Sequence, residues 1–280
     1  MNSNVEVAVE KIVLAHGERG MDILREYLPK HYFYNAAKRL FGLERGNIFL
    51  TTGFYVEGHP ETDGPPGTYG LAAALREMGF NPIIVTDKLL EGLMDDLGFT
   101  IEYCAFDAGQ WIYEVLMEEY KPVAVISIER CGINIDGDYA NMRGISIAHS
   151  TAKVDYLFEI ANNKQIPTFG IGDGGNEIGM GNLKDQIGQY LGLVPCATKV
   201  DYLMVATVSN WGAYALAIEL SKLEGKNLLM PYSDIRGYLK KIVTLGAIDG
   251  VHKLPQATED AFDKETSKSV VDNLHKVLEI

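Results

Sequence analysis

The sequence predicts a three-layer α/β/α sandwich around a mostly parallel, Rossmann-like sheet, and three observations predict it. Short segments recur as near-continuous apolar runs, the pattern of strands buried on both faces. Stretches of helical length separate them, as crossover connections between parallel strands require. Several runs end in unusually polar or glycine-rich turns, which lie where open parallel sheets bind ligands.

Residues 1–45 read as a helical prelude. Val5, Val7, Val9, Ile12 and Val13 crowd one segment, Asp22–Leu28 and Tyr32–Phe41 follow at helical spacing, and Pro29 and Gly42 punctuate them. Such a prelude either covers a sheet or makes a homo-oligomer contact. Asn47–Thr52 is then a strand, Gly67–Met78 a helix, Pro82–Thr86 a strand, Lys88–Leu97 a helix and Thr100–Cys104 a short strand. Ala108–Tyr120 is helical, Val123–Ile128 is a buried strand, and Ser150–Lys164 is a helix leading into the strand Gln165–Gly172. Asn176–Leu191 could open as a helix, Tyr202–Val208 is a strand and Trp211–Leu223 a helix. Asp234–Ile280 is helical with an interruption around Gly246–Thr258. Without a repeat, a low-complexity tract or a flexible linker, residues 1–280 are expected to form a single domain.

Composition narrows the class. Hydrophobic residues at 47% and charged residues at 22% fit an ordinary globular chain rather than a disordered one. A formal net charge of −13 opposes binding to nucleic acid or anionic membranes, since both attract basic surfaces. No apolar run approaches the roughly 20 residues of a membrane span, and Glu6 and Glu10 argue against a transit peptide. Cys104, Cys131 and Cys196 are too far apart for a C-x-x-C metal site and odd in number, so reduced thiols are expected. Cys131 reads as packing rather than as a nucleophile. The expected protein is cytoplasmic, with a small-molecule partner, no nucleic acid and no membrane.

Four turns carry the chemistry. The segment Gly172–Gly181 holds five glycines together with Asp173, Asn176 and Glu177. Gly170-Ile-Gly-Asp-Gly-Gly175 matches the G-x-G-x-x-G pattern of dinucleotide sites. Asp173, however, would set a carboxylate against the pyrophosphate, and no acid follows at about 20 residues in a second-strand context. A cation, an ammonium group or a hydrolytic water suits Asp173, Asn176 and Glu177 better. The plainer alternative is a tight connection in which Asp173 or Asn176 caps a helix. After the first strand, Gly53–Gly67 is a long loop with a rigid Asp63-Gly-Pro-Pro-Gly67 end, and Glu61, Thr62 and Asp63 are its candidate ligands. After Val123–Ile128 come Glu129 and Arg130, either an internal ion pair or a site in which Arg130 takes a substrate carboxylate, a role for which Arg143 competes. Asp136-Gly-Asp138 lacks the ligand series of a calcium loop. Ser209-Asn-Trp-Gly-Ala-Tyr214 opens a helix, with Ser209 or Asn210 as cap and Trp211 as a candidate pocket wall.

Taken together, these motifs resemble the D-glutamate cyclase family. The resemblance rests on Thr52-Gly-Phe54, Glu61-Thr-Asp-Gly-Pro-Pro-Gly67, Ile128-Glu-Arg130 with Asp136-Gly137, Gly172-Asp-Gly-Gly-Asn-Glu-Ile-Gly-Met-Gly181, Ser209-Asn-Trp-Gly212 and Asp249-Gly250, in family order. It implies conversion of D-glutamate to 5-oxo-D-proline with loss of water, a lyase reaction. Some larger relatives carry an additional N-terminal domain and are mitochondrial. Ring closure requires a proton taken from the ammonium, a neutralised γ-carboxylate and a protonated leaving oxygen. Asp173 or Glu177 is the candidate base, and Asn176 with the N–H groups of Gly174 and Gly175 the candidate oxyanion donors. Arg130 is the candidate carboxylate clamp, and Asp63 or Glu61 a proton donor or cation ligand. Glu129 completes the catalytic set, with Gly64, Ser209, Asn210 and Trp211 on the substrate side. No cofactor is required; a hard divalent cation such as Mg²⁺ would sit on Asp63, Asp173 and Glu177, because the donors are all oxygen and no His/Cys cluster exists. The competing expectations are a non-catalytic binding protein for an acidic or phosphorylated metabolite, and a cyclase or hydrolase of another amino acid.

Overall fold

The structure is a computed structural model that describes residues 9–17 and 19–279; Val5 and Val7 of the prelude lie outside them. After helical residues 9–13 come α1 (Met21–Arg25) and α2 (Tyr32–Phe41). The α/β alternation then runs β1 (Asn47–Thr51), a hairpin of β2 (Tyr55–Val56) and β3 (His59–Pro60), α3 (Pro65–Glu77), β4 (Asn81–Asp87) and β5 (Thr100–Cys104). It continues with α4 (Gln110–Tyr120), β6 (Ala124–Ile128), α5 (Asp155–Asn163), β7 (Thr168–Gly172), β8 (Tyr202–Val205) and α6 (Ser209–Glu224). The helices α7 (Tyr232–Thr244) and α8 (Lys264–Lys276) follow.

All strands of the six-stranded sheet are parallel, in the spatial order β5-β4-β1-β6-β7-β8. The chain thus winds outward one way from β1 and then, from β6, the other way. That reversal opens a crevice at the carboxyl ends of β1 and β6, where doubly wound sheets bind their ligands. On one face α2 and α3 pack against α6; on the other α4 packs on α5, which lies on β6 and β7. Every residue of α6 from Ser209 to Ser221 is buried, so this helix is an inner element enclosed on all sides rather than an amphipathic cover. The prelude covers the sheet, as one of its two expected uses: Tyr32, Phe33, Ala36, Ala37 and Leu40 of α2 are buried, and the Tyr32 hydroxyl donates to Val205 O at 2.9 Å.

Two predicted helices are absent. Lys88–Leu97 forms two short 3₁₀ turns, Lys88–Leu90 and Asp95–Leu97, because Gly92 (φ 86°) and Gly98 (φ 73°) take left-handed angles that end each turn. In Asn176–Leu191 the N–H groups of Gly179 and Gly181 both donate to Thr198 O instead of turning into a helix. Only a 3₁₀ turn at Met180–Leu183, a helical turn at Lys184–Gln186 and a π turn at Ile187–Leu191 remain. Among the described residues no helix is long and apolar enough to cross a membrane.

Candidate active site

The carboxyl edge of the sheet gathers acids from separate turns. Asp63 ends the segment after β3, Glu129 follows β6, Asp173 follows β7, and Ser209 opens α6 just beyond β8. The first N–H groups of α6 have no helical acceptor and bind carboxylates instead. Asp63 accepts from Asn210 N at 2.8 Å, from Ser209 N at 2.9 Å and from Gly64 N at 2.9 Å. Ser209 N is shared with Asp173 Oδ2, also at 2.9 Å, and the Ser209 hydroxyl donates to Glu129 Oε2 at 2.6 Å. One helix terminus therefore gathers three carboxyl groups.

A second strand of the site comes from the chain beyond α7. Asp249 accepts from Val251 N at 3.1 Å, His252 N at 2.7 Å, Ala261 N at 2.7 Å and the Thr258 hydroxyl at 2.7 Å, which folds residues 250–261 around its side chain. This loop delivers Asp260, and Arg19 crosses from the prelude to meet it. Arg19 Nη2 contacts Asp260, lies 3.1 Å from Asp173 Oδ2 and donates to Thr207 O at 2.9 Å. Oxygens of Asp63, Asp173 and Asp260 lie within 4.8 Å of one another, as do those of Glu129, Asp173 and Glu177. Asp173 belongs to both groups. Glu129 (φ 45°) and Asp260 (φ 51°) hold left-handed backbone without being glycine, a strain of about 1–3 kcal/mol each that recurs where side-chain placement matters more than local comfort.

Crowding buried acids sets their protonation. Burial, then the Asp260 charge, push Asp63 up to about 7, against hydrogen bonds that favour its ionised form. Burial raises Glu129 well above the carboxyl range, with Glu177 and Asp63 adding to it. Asp173 is also raised well above that range, by burial first and by Glu129, Asp260 and Asp63 after it, while Arg19 opposes them. Glu61 is raised well above it by burial, Asp260 and Asp63. Each of these groups consequently holds its proton to higher pH than an ordinary carboxyl does.

Glu61, Glu129, Asp173, Glu177 and Asp260 floor a cavity of about 450 Å³, with Asp63, expected to bind substrate, outside its lining and in reach of Asp173 and Asp260. The rim carries Arg143, Lys253 and His149 together with the exposed Ile145 and Val251. Lys253 pairs with Glu57 on the hairpin. Asn176 lines the same cavity; its Nδ2 donates to Ala140 O at 2.9 Å, while its buried Oδ1 has no partner among the described residues. Gly250 gives Glu61 its space, since a Cβ there would lie 1.5 Å from Glu61 Oε1. Gly250→Ala should cost about 1–3 kcal/mol by overpacking, visible as a lower urea midpoint with an unchanged slope.

Several sequence expectations are corrected. Arg130 does not face the cavity: its guanidinium turns under the sheet edge, pairs with Asp87 Oδ2 at 2.6 Å and donates to Ala152 O at 2.7 Å and Gly53 O at 2.9 Å. The ion pair is internal, but with Asp87 rather than with its neighbour Glu129. Asn210 holds a turn rather than a ligand, accepting from Gly67 N at 2.7 Å and Gly64 N at 2.9 Å and donating to Thr62 O at 3.2 Å. Gly64 (φ 98°) serves that turn, where a Cβ would lie 2.5 Å from Thr52 Oγ1. Trp211 is fully buried against Phe262, with ring centroids 4.8 Å apart, and is not in the lining of this cavity. The N–H groups of Gly174 and Gly175 are not open to an oxyanion, because they donate to Glu177 at 2.6 and 2.7 Å. Glu177 is thereby pinned. Ser209 holds Asp63, Asp173 and Glu129 and does not line the cavity. Asp63, Glu129, Asp173, Asn176, Glu177 and Glu61 do come together, and Arg143 stands at the rim. Cys131 is packing, buried with Phe54, Tyr139 and Ile147. Arg19 and Asp260 were not legible as site residues, although Gly17 and Gly20 interrupt the helical pattern around Arg19 and Asp249-Gly250 precedes Asp260.

Residues 9–275 match the family model described as D-glutamate cyclase-like, C-terminal. The mitochondrial D-glutamate cyclase of Homo sapiens is 30% identical over 258 residues, covering 82% of this chain and 40% of that protein, so the chain spans less than half the length of the curated relative it matches. Among solved structures, an exopolyphosphatase-related protein from Bacteroides fragilis superposes with a TM-score of 0.41 at 11% identity, over 88% of this chain and 56% of the other. The enzyme WbmG of Bordetella bronchiseptica, solved with NAD, gives 0.32 at 13% identity, over 62% of this chain and 49% of the other. Structural likenesses this weak carry no argument about function.

Proposed function

Because this chain belongs to the D-glutamate cyclase-like family, we propose that it closes D-glutamate to 5-oxo-D-proline with release of water. The observation that supports this most is the proton-holding carboxyl cluster around Asp173, walled into a cavity with a cationic rim. An ammonium group seats on the acidic floor while a carboxylate faces Arg143 and Lys253 at the mouth, which matches an acidic amino acid.

The chemistry follows from the two protonation states. Asp173, whose charged form the adjacent Arg19 guanidinium favours, takes a proton from the substrate ammonium. The freed amine attacks the γ-carboxyl carbon; the C–N bond forms and a tetrahedral intermediate results. Glu129, which burial and the neighbouring Glu177 and Asp63 keep protonated to higher pH than an ordinary carboxyl, gives its proton to the departing oxygen as the C–O bond breaks. The nitrogen loses two protons in all, one before the attack and one from the tetrahedral intermediate. Asp173 takes each and passes it inward to Glu129, which delivers both to the oxygen, so that water leaves and the two carboxyl groups end as they began. Glu177, held by two glycine N–H groups, acts through its charge, which helps keep Glu129 protonated. Asn176 Oδ1 is available to accept from the substrate nitrogen. The set suggested by the sequence, Asp63, Asp173 and Glu177, is divided between two all-carboxylate groups, Asp63 with Asp173 and Asp260, and Glu129 with Asp173 and Glu177. Either offers the hard oxygen donors that fit a divalent cation such as Mg²⁺, which, if bound, would polarise the reacting carboxyl.

Incubating the protein with D- and L-glutamate and following 5-oxoproline by proton NMR tests the reading: D-glutamate should cyclise. Thermal stabilisation by D-glutamate without turnover would instead favour a binding protein.

Glu129→Gln should reduce turnover by about 10²-fold or more while keeping an oxygen for the Ser209 hydroxyl. A carboxyl with a raised folded pKa stabilises the fold fully below its unfolded value of 4.5 and loses that contribution as the pH rises toward the folded value. The variant should therefore match the parent's thermal stability at acid pH and exceed it increasingly toward pH ~8, as paired melting curves would show.

A further inference from the structure

We propose that Arg19 is a catalytic residue of the ring closure: its guanidinium receives the γ-carboxylate of the substrate, neutralises it for attack by the amine and holds the oxyanion that forms. This rests on the D-glutamate reading and assigns a side chain of the protein itself to the electrophilic half of the reaction.

A free carboxylate resists nucleophiles because the negative charge repels the incoming pair, so some cation or hydrogen-bond donor has to meet it. The donors that the sequence suggested are occupied, Arg130 by Asp87 and backbone carbonyls, and the N–H groups of Gly174 and Gly175 by Glu177. Of the Arg and Lys side chains lining the cavity, Arg143 is exposed at the rim and Lys253 is paired with Glu57 there. Arg19 alone among them reaches the floor, 3.1 Å from Asp173.

Its contacts also leave it able to act. Thr207 O, Asp173 and Asp260 all engage the same nitrogen, Nη2. The Nη1 and Nε groups have no partner among the described residues, and the side chain lines the cavity with 27% of its surface exposed. A guanidinium held by one edge presents its other N–H groups to a second carboxylate in fork geometry. The segment that carries it is fastened: Thr207 N donates to Val13 O at 2.8 Å and the Thr207 hydroxyl to Ala15 O at 3.0 Å. With the ammonium on Asp173 and the γ-carboxylate on Arg19, the two ends of the substrate that must join lie side by side, which favours the folded conformer needed for a five-membered ring. As the C–N bond forms, the carbonyl π electrons move onto the oxygen facing Arg19. They return when the C–O bond breaks and the oxygen, which has received both nitrogen-derived protons through Glu129, leaves as water.

Arg19→Ala and Arg19→Lys, assayed on D-glutamate and on its γ-methyl ester, test this. The ester closes to the same ring with methanol as leaving group, and its γ-carbonyl is already neutral. Arg19→Ala should lower kcat/KM for D-glutamate by about 10²–10³-fold, the usual loss on removing one oxyanion donor, and for the ester by at least about tenfold less. Added guanidinium ion should restore part of the D-glutamate activity. Arg19→Lys, which keeps a charge but not the fork, should fold like the parent and fall between the two. Activity of Arg19→Ala within about threefold of the parent, or equal loss on both substrates with no rescue by guanidinium, overturns the proposal and leaves the cyclase reading standing. A parent protein inert toward D-glutamate removes both.

Discussion

Asp173→Asn is expected to abolish turnover of D-glutamate, by about 10³-fold or more, in a protein that still folds. Asp173 is the member common to both carboxyl groupings and the one that faces Arg19 and the helix terminus together. An amide of the same shape keeps an oxygen for Ser209 N but cannot take a proton from an ammonium group. The fold should tolerate the change because the site carries an excess of like charge: Glu129, Asp260 and Asp63 all raise the pKa of Asp173, so removing its charge relieves them. Proton NMR of 5-oxoproline formation, with melting curves alongside, decides the matter. A D173N protein with full activity would end the assignment of Asp173 as base.

The second large effect concerns stability and comes from a residue expected to bind substrate. Arg130→Ala should cost about 3–5 kcal/mol, the range found when one partner of a buried ion pair is removed and the other stays behind uncompensated. Asp87 and Arg130 are both fully enclosed, and Asp87 also accepts from Ala152 N at 3.2 Å and Leu89 N at 3.1 Å. The guanidinium ties the loop after β1, the end of β4 and the approach to α5 through Gly53 O, Asp87 and Ala152 O. Urea unfolding should show the loss as a lower midpoint. A variant as stable as the parent would mean that the pair adds nothing net.

How much the sequence revealed follows from how local each signal is. Strands such as Asn47–Thr51 and Ala124–Ile128 were legible because burial on both faces writes an apolar run directly into the chain. The acids Asp63, Glu129, Asp173 and Glu177 were legible because each follows a strand, and parallel strand ends share one edge. Side-chain direction was not. Glu129 and Arg130 are neighbours, and only the left-handed backbone at Glu129 decides that the acid enters the cavity while the arginine leaves it. The glycine N–H groups were misassigned because Glu177 folds back on its own loop, a contact that spacing alone does not reveal. Arg19 and Asp260 escaped altogether, since their meeting joins positions 241 residues apart.

That last contact has a consequence for the order in which the protein becomes competent. Residues 19 and 260 flank almost the whole α/β alternation, and the loop bearing Asp260 is shaped by Asp249, beyond α7. A ribosome must therefore deliver nearly the entire polypeptide before the acidic basin gains its arginine and its last carboxylate. A half-synthesised chain can assemble much of the sheet, yet it has no finished vessel in which to trap a metabolite.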